Sequence, residues 1–292
     1  MSLRKSMTAF VGSLAVVIPV AATAGGGGGA DIERDTVGVV RGIGGSGAGA
    51  PAEWILRSSN DPLCATPAIA RFGFGDDGDQ VLSADLAGDG LSTATVFRDI
   101  NGAGFFFVRD SNATGGSVGT TSIPFGAGTD VGIVGNFDPS DPGDEVGVYR
   151  PSTRQFFLRT DSGITQFAFG DSGDVPIVGN WDNSVDGSEE VGLYRPSTSQ
   201  FFMRADNMPG SASVMSRSMG ASGDDPLAGD WDGDGMATIG VRRDLTFGIF
   251  FLSNQASGGT ADISLPFGAA NTDRPVVGDW DGPTVDQDGC GV

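Results

Sequence analysis

The chain has 292 residues, of which 37 are acidic and 17 are basic, and its formal net charge is −20. Such a charge repels nucleic acids and anionic membrane surfaces, which argues against both as partners. Histidine is absent, which excludes Ser-His-Asp and Cys-His catalysis and zinc sites built on imidazole.

The N-terminus has the pattern of an export signal. Arg4 and Lys5 precede an apolar run at 9–20, and Ala22-Thr23-Ala24 fits a small-x-small cleavage site. We therefore expect a secreted or periplasmic protein. No second apolar run of about 20 residues follows, so no membrane span is expected. The expected organisation is a signal peptide at 1–24, a glycine-rich linker at 25–32 and a single domain over 33–292.

The rest of the chain has the composition of an all-β protein. It contains 32 Asp but only 5 Glu, together with 49 Gly and 15 Pro. Aspartate, glycine and proline favour turns, whereas glutamate is a good helix former. No helical periodicity longer than a turn or two follows residue 30, and short apolar segments separated by turn residues predict strands.

A unit of about 50 residues repeats along the chain, a period typical of propellers and solenoids. Each unit contains an IVGDW-type strand, an acidic loop, a VGVYR-type strand, a turn, an FFLR-type strand and a strand ending in FG. Four short strands per unit are typical of a propeller blade. The arginine that ends the second strand recurs as Arg41, Arg98, Arg150, Arg195 and Arg243.

The chain enters and leaves the repeat at different strands. VGVV at 37–40 is a second strand, whereas PVVGDWDG at 275–282 is a first strand. One blade is therefore split between the termini, which predicts a closed five-bladed β-propeller of four-stranded antiparallel blades. The predicted blades are about 80–126, 131–170, 175–220, 226–268, and 274–292 with 33–75.

The same register places the two cysteines near each other. Cys290 aligns with the start of a second strand, and Cys64 lies between the third and fourth strands of the same split blade. Because strand direction alternates, both turns lie on one face of the ring. We expect a Cys64–Cys290 disulfide, with two unpaired buried thiols as the alternative.

GDWDGDG at 229–235 is the most complete acidic loop, and it is part of a resemblance to a known repeat family. The FG strand ends, this loop and the following VG strand resemble the FG-GAP repeats of integrin α-subunit propellers and of many bacterial secreted proteins. The resemblance covers about residues 33–292 and implies calcium bound by the acidic loops. The chain departs from integrins in having five units instead of seven, and most loops lack the full ligand set.

Carboxylates at alternate positions suit a hard cation such as Ca²⁺. The fourth-blade loop has Thr238 where the family has a last acid, which should weaken binding there. In the first blade Ala87 replaces a ligand, so no site is expected, and in the split blade a site at Asp279, Asp281, Asp286 and Asp288 is left open. The candidate ligands are Asp230, Asp232 and Asp234 in the fourth blade; Asn180, Asp182, Asp186 and Glu190 in the third; and Asn136, Asp138, Asp144 and Glu145 in the second.

Two sets of repeated side chains admit two interpretations. The five arginines could converge on an anionic ligand, but pairing with aspartates of neighbouring blades is the favoured interpretation. Trp181, Trp231 and Trp280 could form a sugar platform, yet they occupy the position of Phe137, which indicates interblade core.

The sequence favours a calcium-stabilised binding or surface-interaction module without catalysis, with a carbohydrate or an extracellular protein as ligand. Its ligand surface should be the face formed by the P-S-T turns and the FGDSGD-type connections. The alternatives are a glycoside hydrolase or lyase with carboxylates at the propeller centre, and a structural matrix or envelope component.

Overall fold

The computed structural model describes residues 34–42, 51–63, 68–114, 117–141, 143–184 and 187–280. This part of the chain forms twenty β-strands in five sheets, each of four antiparallel strands. It contains no helix, and so none that is long and apolar enough to cross a membrane. The predicted cysteine pair lies outside the described residues.

Each blade is a meander from an inner to an outer strand. The first blade consists of β4 (Gln80–Ala84), β5 (Thr93–Ile100), β6 (Ala103–Arg109) and β7 (Thr120–Ala127). The second consists of β8 (Val131–Gly135), β9 (Glu145–Arg150), β10 (Gln155–Thr160) and β11 (Gly163–Ala168). The third consists of β12 (Val175–Gly179), β13 (Glu190–Arg195), β14 (Gln200–Arg204) and β15 (Val214–Ser218). The fourth consists of β16 (Asp225–Gly229), β17 (Thr238–Asp244), β18 (Gly248–Leu252) and β19 (Ile263–Pro266).

The fifth blade is split between the two ends of the chain, as predicted. Its inner strand is β20 (Asp273–Gly278), which pairs with β1 (Thr36–Arg41), followed by β2 (Glu53–Arg57) and β3 (Ala68–Gly73). The inner strands contact one another in the order β4, β8, β12, β16, β20 and back to β4. The predicted all-β, five-bladed propeller is therefore confirmed.

The apolar core lies between the blades. Trp181, Trp231 and Trp280 are buried to at least 95%, and Phe137 is buried at the same position of the second blade. Because these indoles fill the interblade core, they cannot form a sugar platform, and the core interpretation is confirmed.

The ring has two faces. We call one the acidic face; it carries the loops between first and second strands and the turns between third and fourth strands. We call the other the arginine face; it carries the turns between second and third strands and the loops between blades, including the PSTR turn at 151–154 and the loop at 170–174.

Each of the five repeated arginines forms a bidentate ion pair with an aspartate at the start of the inner strand. Arg195 donates from Nε and Nη2 to the two carboxylate oxygens of Asp174, at 2.8 Å each. Its guanidinium also lies 4.7 Å from the ring centroid of Phe202. The other pairs are Arg41–Asp273, Arg98–Asp79, Arg150–Asp130 and Arg243–Asp224. The prediction that these arginines pair with aspartates is confirmed. The prediction that the aspartates belong to neighbouring blades is wrong, because each one precedes or begins the inner strand of the arginine's own blade.

Candidate functional site

The fourth-blade loop brings three carboxylates together. One oxygen each of Asp230, Asp232 and Asp234 lies within 4.8 Å of the other two, and within the described ranges no other three acidic residues do so. Asp230 shapes the loop by accepting the backbone N–H groups of Gly233 at 2.7 Å and Gly235 at 2.8 Å. Both glycines have positive φ, 78° and 86°, which is the conformation that glycine adopts without strain.

Burial and mutual repulsion act on these carboxylates. Burial raises the pKa of Asp230 to about 6, the hydrogen bonds from Gly235 and Gly233 oppose this rise, and the charges of Asp234 and Asp232 add to it. The pKa of Asp232 is also raised, first by burial and then by the charge of Asp234. A bound cation would remove this repulsion, and an oxygen-only donor set is what Ca²⁺ requires. The residues present therefore fit calcium.

Thr238 does not supply the ligand that the family pattern would place there. Its side chain is buried, and Oγ1 donates to the carbonyl oxygen of Gly229 at 3.4 Å. The loop thus offers three carboxylates, and backbone carbonyls or water would complete the shell of the six to eight oxygens typical of Ca²⁺.

The second-blade loop is organised around Glu145. Its Oε2 accepts the N–H groups of Phe137 at 2.7 Å and Asp138 at 3.1 Å. Burial raises the pKa of Glu145 to about 7, against the effect of these two hydrogen bonds. Of the other two predicted ligands, Asp144 accepts the N–H of Asp85 in the first blade through Oδ2, and Asn136 accepts the N–H of Glu189 in the third blade through its backbone carbonyl. Calcium in this loop stays a prediction.

In the third-blade loop, two of the predicted ligands form hydrogen bonds with backbone groups. Asn180 Oδ1 accepts the N–H of Ser184 at 3.0 Å, and its Nδ2 donates to the carbonyl of Gly235 in the next blade at 3.0 Å. Asp182 Oδ1 accepts the same Ser184 N–H at 2.9 Å. Glu190 is buried, and Asp186 lies outside the described residues. Calcium here also stays a prediction.

A ring of hydrogen bonds between blades, which the sequence did not reveal, lies on the acidic face. The residue just before each second strand donates its N–H to the carbonyl of the residue that follows the inner strand of the adjacent blade. The pairs are Asp35–Asp230, Ser92–Asp279, Asp144–Asp85, Glu189–Asn136 and Ala237–Asn180. The donors occupy the same position in every blade, but they share no single residue type and donate through the backbone, so the sequence carries no signal for these hydrogen bonds.

One position on the arginine face departs from the repeat. Arg242, opposite Asp225 on the inner strand, stands where the second and third blades have Tyr149 and Tyr194. Its guanidinium is buried, with Nη1 2.8 Å from Asp244 Oδ1 and 3.8 Å from Asp225 Oδ2. A functional site is expected to break the symmetry of a repeat protein, so this position is a second candidate.

Burial raises the pKa of Asp225 to about 6, and the positive charges of Arg242 and Arg274 oppose that rise. Two apolar side chains, Leu245 and Phe247, project from the adjacent turn and are 57% and 45% exposed. This part of the arginine face therefore offers both charged and apolar contacts.

The chain was also compared with known proteins. A scan against protein-family models found no match, and searches of the curated proteins and of the solved structures found none either.

Proposed function

We propose that the protein is a secreted, calcium-stabilised propeller of the FG-GAP type that acts as a binding module and has no chemistry of its own. The observation that carries the proposal is the convergence of the Asp230, Asp232 and Asp234 oxygens within 4.8 Å in one loop of a closed ring. The export-signal pattern at 1–24 supports secretion, which would place the protein outside the cell, where calcium is abundant.

Calcium would stabilise the ring by binding the folded loop and not the unfolded chain. At a free calcium concentration about 50 times the dissociation constant, the expected gain is about 2 kcal/mol. Thermal unfolding in EDTA and in millimolar calcium measures it. Asp232→Asn, which removes one ligand, should reduce the gain, whereas Asp161→Asn in an exposed turn of the second blade should not. An identical melting temperature in EDTA and calcium would contradict the proposal.

The arginine face is the proposed ligand surface. Its departure from symmetry at Arg242 and the exposed Leu245 and Phe247 distinguish one sector of an otherwise repetitive face. Apolar contacts flanked by fixed charged groups are typical of sites for a carbohydrate or a partner protein. In repeat proteins such sites occupy loops on one face of a rigid ring.

A glycan array with the purified protein tests the carbohydrate half of this proposal. A glycan that binds wild type should lose binding to Phe247→Ala and Leu245→Ala. The matched control is Ile164→Ala, which removes a side chain 62% exposed on the acidic face and should bind normally. Loss of binding in the control alone would move the site to the other face.

A hydrolase or lyase is the second candidate, favoured by the carboxylates beside Arg242. Asp225 and Asp244 both contact its guanidinium, and a carboxyl with a raised pKa can act as a general acid. A screen for products released from polysaccharides tests this candidate. Activity that Asp225→Asn abolishes would favour an enzyme, and activity unchanged in that variant would not come from this site.

A further inference from the structure

Three buried side-chain oxygens lie on the acidic face, two where the second and third blades adjoin and one where the second blade adjoins the first. They are Asn136 Oδ1, Asp144 Oδ1 and Glu189 Oε1, and none has a hydrogen-bond partner in the described part of the chain. Their residues are 2%, 6% and 1% exposed. A buried polar atom without a partner is costly, so such atoms indicate a missing water, proton or ion.

The interblade hydrogen bonds orient these side chains. Glu189 donates its N–H to the carbonyl of Asn136 at 2.7 Å, and Glu189 Oε2 accepts the N–H of Asn136 at 3.0 Å. Asp144 Oδ2 accepts the N–H of Asp85 at 2.7 Å. One oxygen of each carboxylate is thus fixed by a neighbouring blade's backbone, and the second oxygen is left for another partner.

The charges around Glu189 are negative. Its pKa is raised well above the ordinary value by burial and by the charges of Asp144, Asp35 and Glu190, against the Asn136 hydrogen bond. Asp35 belongs to the split blade, which is not adjacent to the third blade in the ring. Carboxylates from separate blades therefore act on one another across the acidic end of the ring.

We propose that the acidic end of the propeller axis binds one calcium ion through Asn136 Oδ1, Asp144 Oδ1 and Glu189 Oε1. Two carboxylates and an amide oxygen are hard donors without nitrogen or sulphur, which favours calcium or magnesium over zinc. Ligands from two blades and an irregular arrangement suit calcium, which tolerates variable geometry and accepts water for the remaining positions. This axial site shares no ligand with the loop at 230–235.

The number of calcium ions bound per chain distinguishes the axial site from the loop site. The background is Asp232→Asn/Asp234→Asn, in which the fourth-blade loop is disabled, and bound calcium is measured by equilibrium dialysis and elemental analysis. Adding Glu189→Gln, which keeps the shape of the side chain, should remove one calcium per chain. Adding Asp161→Asn, at an exposed position of the second blade, should remove none.

The proposal is overturned if the background binds the same amount of calcium with and without Glu189→Gln. If that variant does not fold, calcium-soaked crystals of the wild-type protein decide instead, because an anomalous peak between the three oxygens is required. A background that binds as much calcium as wild type would refute the loop site alone and leave the axial test intact.

Discussion

The ion pair between the repeated arginine and the aspartate of the inner strand gives the clearest prediction about stability. Arg195 joins the end of β13 to Asp174 at the start of the inner strand through two hydrogen bonds of 2.8 Å. Asp174 is buried, with a side chain 1% exposed, whereas Arg195 is 27% exposed. Arg195→Met keeps an apolar stem against Phe202 but leaves the buried carboxylate of Asp174 without its cation.

The burial of the pair sets the expected magnitude. Exposed ion pairs contribute about 0–1 kcal/mol, whereas breaking a fully buried pair costs about 3–5 kcal/mol. With one partner buried and the other partly exposed, we expect Arg195→Met to lower the free energy of unfolding by about 2 kcal/mol. For a domain of this size that corresponds to a fall in melting temperature of about 5 °C.

Urea unfolding followed by tryptophan fluorescence measures this effect. Arg159→Met is the matched control, because Arg159 is exposed on a strand of the second blade, and it should change stability by less than about 0.5 kcal/mol. Asp174→Asn and the double variant complete a cycle whose coupling energy should exceed about 1 kcal/mol. Equal effects of Arg195→Met and Arg159→Met would refute the reasoning.

Three further predictions follow from other parts of the ring. The pKa of Glu145 is raised to about 7 mainly by burial, so its stabilising contribution is present below about pH 4.5 and is lost as pH rises through 7. In calcium-free urea titrations, the free energy of unfolding should therefore fall between pH 5 and 8, and the fall should be about 1 kcal/mol larger in wild type than in Glu145→Gln. This magnitude is kept small because the carboxyl is partly exposed to solvent. Gly135→Ala would place a Cβ 2.7 Å from Glu189 Oε2 and should destabilise the protein by about 2 kcal/mol in the same assay; unchanged stability would show that the blades can separate there. Non-reducing peptide mass spectrometry should recover Cys64 linked to Cys290, and two free thiols would contradict that bond.

The sequence predicted the architecture because its signals are local and repeated. Glycine, proline and aspartate mark each strand end, and the arginine that closes each second strand sets the register. The entry at 37–40 on a second strand and the exit at 275–282 on a first strand predicted the split blade, which β1 and β20 confirm. A ring that closes by pairing the two ends of the chain leaves little freedom in the order of blades.

The chemistry of the acidic face was harder to predict because it depends on contacts between blades. Glu189 and Glu190 are adjacent acids that the sequence does not distinguish, and in the structure the carboxylate of Glu189 accepts the N–H of Asn136 in the second blade. Asp144 is predicted from the sequence as a ligand within its own loop, and the sequence gives no sign that its Oδ2 accepts the N–H of Asp85 in the first blade. Sequence spacing within a blade carries no information about which side chain crosses to the next.

The departure at Arg242 could have been seen but not interpreted from sequence. The aligned strands show an arginine where the first three blades have an aromatic residue. Its buried contacts with Asp225 and Asp244 depend on how the inner strand and the following turn approach it.

Anomalous diffraction from crystals grown in calcium tests the central claim, that carboxylates of the acidic face hold calcium. We expect one ion among the oxygens of Asp230, Asp232 and Asp234, and a second among those of Asn136, Asp144 and Glu189. Water alone at both positions in millimolar calcium would contradict the claim.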